Sequence, residues 1–174
     1  TMDTAVNLHE EGKSIPVHVD VPWQGRRTST TVYTSLPKTI EPRGHNYLVG
    51  PEYPAVIFHL HGGGTPTATG KNAMSIASQM AGSNIPVLAP DLPGHGRATR
   101  KMEGLMSAEE QVNWILEVIK KTVHPSVKVI LSGHSWGGEF AEYMYRHSDE
   151  EKYKQISLFF VLSAPVDVSL GGDE

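Results

Sequence analysis

The chain of 174 residues contains no cysteine. That excludes a disulfide framework, thiolate metal sites and a cysteine nucleophile, but it selects no compartment, because secreted proteins without disulfides exist. Clusters of lysine or arginine are also lacking, and the formal net charge is −4. The sequence therefore carries no electrostatic footprint for nucleic acid or for an anionic membrane surface. No apolar run approaches membrane-spanning length; the longest lies near Leu158 to Leu162. The first residues, TMDTAVNLHEEGK, are polar and show no basic start followed by an apolar core, so no signal peptide is evident in this chain. A soluble protein is expected, with the cytoplasm favoured.

What is present is a change of pattern along the chain. From Ser14 to Trp23, Ile15, Val17, Val19 and Val21 alternate with polar or small residues, and Arg27 to Ser35 is rich in threonine. These are expected to be two half-exposed antiparallel strands joined at Gln24-Gly25. A connection dense in proline and glycine follows, so residues 1–50 read as an antiparallel start and a linker. From residue 54 to 166, short apolar runs alternate with helical periodicity. Strands are expected at Ala55–His61, Ile85–Ala89, around Val127–Leu131 and at Ile156–Leu162. Helices are expected over Asn72–Met80, over 108–122 behind a Ser107/Glu110 capping box, and after Ser135. Strands alternating with helices imply β-α-β units, hence a single α/β domain with a mostly parallel sheet covered by helices on both faces.

The stretch with the most chemical content is Val127–His147, which reads as strand, sharp turn and helix, with Ser135 at the apex of Gly133-His134-Ser135-Trp136-Gly137. G-x-S-x-G alone is a weak signal. Here the flanking elements strengthen it, because a serine on such a turn sits in strained backbone and its neighbours must be small enough for strand and helix to approach. His61-Gly62-Gly63-Gly64 also follows a strand, so in a parallel sheet both loops lie at carboxyl ends, where ligands of such sheets bind. Acyl transfer through a tetrahedral intermediate needs donors for the developing oxyanion. The backbone amides of Trp136 and Gly63 are the expected donors, with Gly64 a third candidate.

HGGG (61–64), DLPGHGR (91–97) and GHSWGG (133–138), in this order and on these elements, resemble the amino-terminal two-thirds of an α/β-hydrolase serine enzyme. The second motif is similar to the lipase, esterase and monoacylglycerol-lipase branch, the first to the hormone-sensitive-lipase type. The resemblance implies hydrolysis of a carboxylic ester, with a small-molecule, lipid or other apolar acyl substrate, by a Ser, acid, His triad without metal or organic cofactor. Trp136 and Leu92 fit an apolar pocket.

The sequence departs from that pattern after Ser135. The family places acid and histidine later in the chain, and the one histidine there is His147. Twelve residues along a helix put it about 18 Å from the serine, so the catalytic histidine is expected to lie outside this chain. His61 and His95 are expected to brace their loops. Asp167, just past the last strand, is a candidate acid, although the usual position lies one strand later. The near-continuous apolar Ile156–Leu162 reads as an interior strand, which left bare would be a template for aggregation. Residues 1–174 are thus expected to be the amino-terminal portion of an α/β-hydrolase fold lacking its last strands and helices. The remainder is expected as a second chain or as a continuation beyond Glu174, and the isolated chain is expected to be inactive.

Two other enzyme readings are weaker. A phosphate-binding loop at Gly70-Lys71 would need glycine where Thr65 stands and a hydroxyl where Asn72 stands. His59 and His61 share a strand face, but no further metal-ligand cluster follows. The non-enzyme alternative is a binding or regulatory module that keeps the hydrolase shell.

Overall fold

The structure, a computed structural model, describes residues 15–35, 46–63, 69–74, 85–99 and 106–162. Its frame is a six-stranded sheet in the order β1-β2-β4-β3-β5-β6. Strands β1 (Ile15–Trp23) and β2 (Arg26–Thr34) form an antiparallel hairpin. It turns at Gln24 and Gly25, both with positive φ (46° and 73°), as a tight two-residue turn between right-twisted strands requires. β2 was expected to be half exposed. It is instead mostly buried, because its far side pairs with β4 (Val87–Pro90). From there β4, β3 (Ala55–Leu60), β5 (Lys128–His134) and β6 (Ile156–Leu162) run parallel.

Alternation along β3 divides the core. Val56, Phe58 and Leu60 face one side, where α2 (Ala108–Thr122) and α3 (Trp136–Arg146) add Val112, Ile115, Phe140 and Met144. Ile57 faces the other, with Val87, Ala89 and Met74 of α1, a helix described over 70–74. Helices thus lie on both faces. α2 begins where expected: Ser107 Oγ accepts the Glu110 amide at 3.2 Å while Glu110 accepts the Ser107 amide at 2.9 Å. Its Trp114 indole donates to Thr28 Oγ1 at 3.0 Å, pinning the helix to the hairpin. α1 begins two residues before the expected Asn72, and β4 two residues after the expected Ile85. Among the described residues no helix is long and apolar enough to cross a membrane.

Two features position the site. The chain passes from β3 to β4 on one side and returns to β5 on the other, so the strand order reverses at β3 and opens a crevice at the carboxyl ends of β3 and β5. At the far edge β6 leaves Leu158 (47%), Phe160 (45%) and Val161 (42%) exposed, an unusual surface for so apolar a strand.

Candidate active site

Ser135 caps α3 at the end of β5 with φ 52° and ψ −117°, a backbone region that side chains other than hydrogen strongly resist. Close packing on both sides holds it there. A Cβ on Gly133 would lie 2.3 Å from the Gly137 carbonyl oxygen, and one on Gly137 would lie 2.2 Å from that of Leu60. Only glycine permits these approaches. The Ser135 amide donates to Leu162 O at 3.0 Å, and its carbonyl accepts the amides of Gly138 and Glu139. Trp136 and Gly137 open the helix, so their amides point out of its first turn without an intrahelical acceptor, and the helix dipole adds positive potential there.

The loop after β3 closes on this turn. A Cβ on Gly62 would meet Ser135 Cβ at 3.4 Å, and one on Gly63 would meet the Trp136 ring at 3.0 Å. The expected serine, the Trp136 amide and the Gly63 segment are therefore brought together. Gly64 and Asp167, also expected to take part, lie outside the described residues.

His61 connects this loop to the next one. Its Nε2 accepts the Leu92 amide at 2.9 Å, which leaves the proton on Nδ1, donated to the Gly62 carbonyl. Both ring nitrogens are committed to backbone. Burial, with smaller contributions from His95 and His59 and against the Gly62 bond, lowers its pKa to about 4. His61 is thus a neutral brace and not a free base. His59 is buried beneath, bonded through Nδ1 to Ser132 Oγ at 2.7 Å, and burial lowers its pKa likewise to about 4. Among the described residues no group of three or more His, Asp or Glu could hold a metal ion. His147 stacks on Tyr143 at 4.3 Å and bonds the Tyr143 carbonyl at the far end of α3, remote from the serine as its spacing predicts.

The loop 91–97 differs from expectation in one respect. Leu92 was expected to line an apolar pocket, but it is fully buried in the core, because its amide is drawn inward to His61. His95 instead meets the site, with ring centroids 5.2 Å from His61 and 4.8 Å from Trp136, and the Phe140 ring also lies 4.8 Å from the indole. Asp91, not singled out from the sequence, organises this loop. The signal available was an aspartate followed by Gly94 and Gly96, a spacing that lets a short loop wrap a carboxylate.

A family model described as serine aminopeptidase, S33, matches residues 51–168. No curated protein matches the chain. Among solved structures it is similar to a serine hydrolase involved in carbazole degradation, at 18% identity and TM-score 0.60, covering 89% of this chain and 51% of that one. It is also similar to the 2-hydroxy-6-oxo-6-phenylhexa-2,4-dienoate hydrolase of Rhodococcus sp. strain RHA1, at 16% identity and TM-score 0.53, covering 86% and 46%. A meta-cleavage product hydrolase of Pseudomonas fluorescens IP01 matches at 17% identity and TM-score 0.54, covering 81% and 43%. At these identities the likeness is one of fold. The chain spans about half the length of these structures.

Proposed function

From a chain that belongs to the serine aminopeptidase S33 family of α/β-hydrolases, we infer a serine hydrolase that cleaves a carboxylic ester through an acyl-enzyme on Ser135. The observation that carries this reading is the Ser135 backbone itself, held at φ 52° at the apex between β5 and α3 and faced by Gly62, with Gly63 against the neighbouring Trp136. In the first step Ser135 Oγ attacks the acyl carbon, the C–O bond to the leaving alcohol breaks, and the serine proton passes through a general base to that alcohol. Water then releases the acid by the same route. The amides of Trp136 and of Gly63, with Gly64 as a third, are the oxyanion donors of this reading. Asp167 is a candidate acid. The base is an imidazole from outside residues 1–174, supplied by a carboxyl-terminal remainder of the same enzyme.

The substrate of this reading is an apolar acyl ester, lipid-like in the lipase or monoacylglycerol-lipase sense. The partly buried Trp136 indole, on the residue directly after the serine, supports it. The family description names aminopeptidases, and the same acyl chemistry acts on an amide, so ester and aminoacyl-amide substrates are to be compared side by side.

A fluorophosphonate probe tests the proposal on the active polypeptide, meaning residues 1–174 joined to their base. It is expected to label Ser135 and to leave Ser135→Ala unlabelled, whereas the 174-residue chain alone labels slowly or not at all, since loss of the base costs several orders of magnitude. Labelling that survives Ser135→Ala, or is absent from the complete polypeptide, overturns the enzyme reading in favour of a binding module.

A further inference from the structure

The carboxylate of Asp91 is fully buried, yet it takes no part in the chemistry described above. It stands at the end of β4, where its own amide donates to Thr31 O at 2.9 Å and its carbonyl accepts Thr30 Oγ1 at 2.6 Å. The loop that follows is tied back to β2 at its other end: the Thr99 amide donates to Ser29 O at 3.0 Å and the Ser29 amide to Thr99 Oγ1 at 2.9 Å. Both feet of the loop are thus fixed to the sheet, and the Asp91 side chain folds its interior. Oδ2 accepts the Arg97 amide at 2.9 Å, six residues on, and Oδ1 accepts the Gly70 amide at 2.8 Å, at the start of α1. Gly96, with φ 50°, presses its Cα against the carboxylate so closely that a Cβ would lie 2.4 Å from Oδ2.

Between these anchors lie the residues that touch the site. The Leu92 amide fixes the His61 ring, whose other nitrogen holds the Gly62 carbonyl of the oxyanion loop. The His95 ring lies against Trp136, the residue that follows the serine. A displacement of the loop would therefore move both candidate oxyanion donors, one through His61 and Gly62, the other through His95 and Trp136.

We propose that Asp91 is the positioning residue of the site, its buried carboxylate shaping the 91–99 loop so that His61 and His95 hold the Gly63 and Trp136 amides in place. This rests on the serine-hydrolase reading for its catalytic consequence, but the mechanical linkage is independent of it. The carboxylate touches no reacting atom. Among the described residues its partners are two backbone N–H groups, and the titratable groups facing it are Tyr33 of β2 and His95 and Arg97 of its own loop.

Two variants test it. Asp91→Asn keeps the shape but replaces one acceptor oxygen by a donor that cannot receive an N–H. Gly96→Ala keeps the carboxylate and pushes the loop away from it. In the active polypeptide both are expected to lower kcat for ester hydrolysis about 100-fold, with KM within about threefold of wild type. Affinity for a boronic-acid transition-state analogue should fall in parallel with kcat. In the 174-residue chain, the Leu92 and Trp136 amide resonances and the Trp136 indole resonance, identified by its loss in Trp136→Phe, are expected to shift in both variants. A kcat per folded enzyme within threefold of wild type overturns the proposal, because a purely structural latch alters stability and not turnover. Unmoved resonances overturn it whether or not the protein is an enzyme. Absence of hydrolysis by the wild type, matched by Ser135→Ala, defeats the functional reading alone, and the resonances then decide the linkage.

Discussion

Gly137 stands against the end of β3 so closely that a Cβ on it would lie 2.2 Å from the carbonyl oxygen of Leu60. The first turn of α3 and the strand before the HGGG loop are therefore in backbone contact, and the distance between the serine and that loop is set there. Gly137→Ala is expected to force strand and helix apart, at about 3 kcal/mol of stability, the upper range for overpacking at a rigid site, and to abolish labelling of Ser135 in the active polypeptide. Urea denaturation checks the first and a fluorophosphonate probe the second. Unchanged stability would mean that the contact relaxes at no cost.

The strain at Ser135 gives a prediction of opposite sign. At φ 52° and ψ −117° a glycine relaxes where serine and alanine do not. Ser135→Gly is therefore expected to be more stable than Ser135→Ala by about 1 kcal/mol, after the entropy that glycine adds to the unfolded chain. Both variants should lose labelling equally. Denaturation midpoints that coincide would show that the backbone at this turn is unstrained.

Acid should weaken the fold through two histidines. His59 and His61 have pKa values lowered to about 4, whereas an unfolded histidine titrates near 6.5. Between those values the unfolded chain binds more protons, so stability falls as pH drops from about 6.5 towards 4. The full shift amounts to about 3 kcal/mol for each histidine. Asp91 acts in the other sense: burial raises its pKa, so the folded state takes up that proton first, and stability from this group is regained as pH falls. Urea midpoints measured between pH 7 and pH 4.5 should decline, and a flat profile would contradict the buried, neutral state of the two rings.

The outer strand supplies a fourth test. Phe160 and Leu158 of β6 are about half exposed on the face opposite α3, beside a strand edge that has no sheet partner among the described residues. Phe160→Lys is expected to slow aggregation of the 174-residue chain, as a charge on an edge strand does, with stability within about 0.5 kcal/mol of wild type. Light scattering follows the first and urea denaturation the second. If aggregation is undiminished, another surface drives it.

Local chemistry made much of this legible in the sequence. The α2 boundaries follow from Ser107 and Glu110, which satisfy each other within one turn. The elbow follows in part from Gly133, whose tight neighbour Gly137 lies four positions on, whereas the approach of Gly137 to Leu60 of β3 is not local. The strand order is not local: that β2 lies against β4, and is covered for that reason, depends on pairing across more than fifty residues. The direction of Leu92 was missed for the same cause. An apolar residue in a loop reads as a lining side chain until its amide is seen to be claimed by His61, thirty-one positions earlier. Asp91 escaped notice because a buried carboxylate is recognised by the distant amides that surround it, and the sequence shows only the two glycines that make room.

The hydrogen bond from the Ser135 amide to Leu162 O joins the strained turn to the last residue of β6. The sheet's outermost strand is therefore a buttress, and the serine leans on it. A strand or partner that docks along the outer edge of β6 would change the stiffness of the support beneath the serine without approaching it, so the margin of the sheet and the centre of its chemistry answer to a single mechanical constraint.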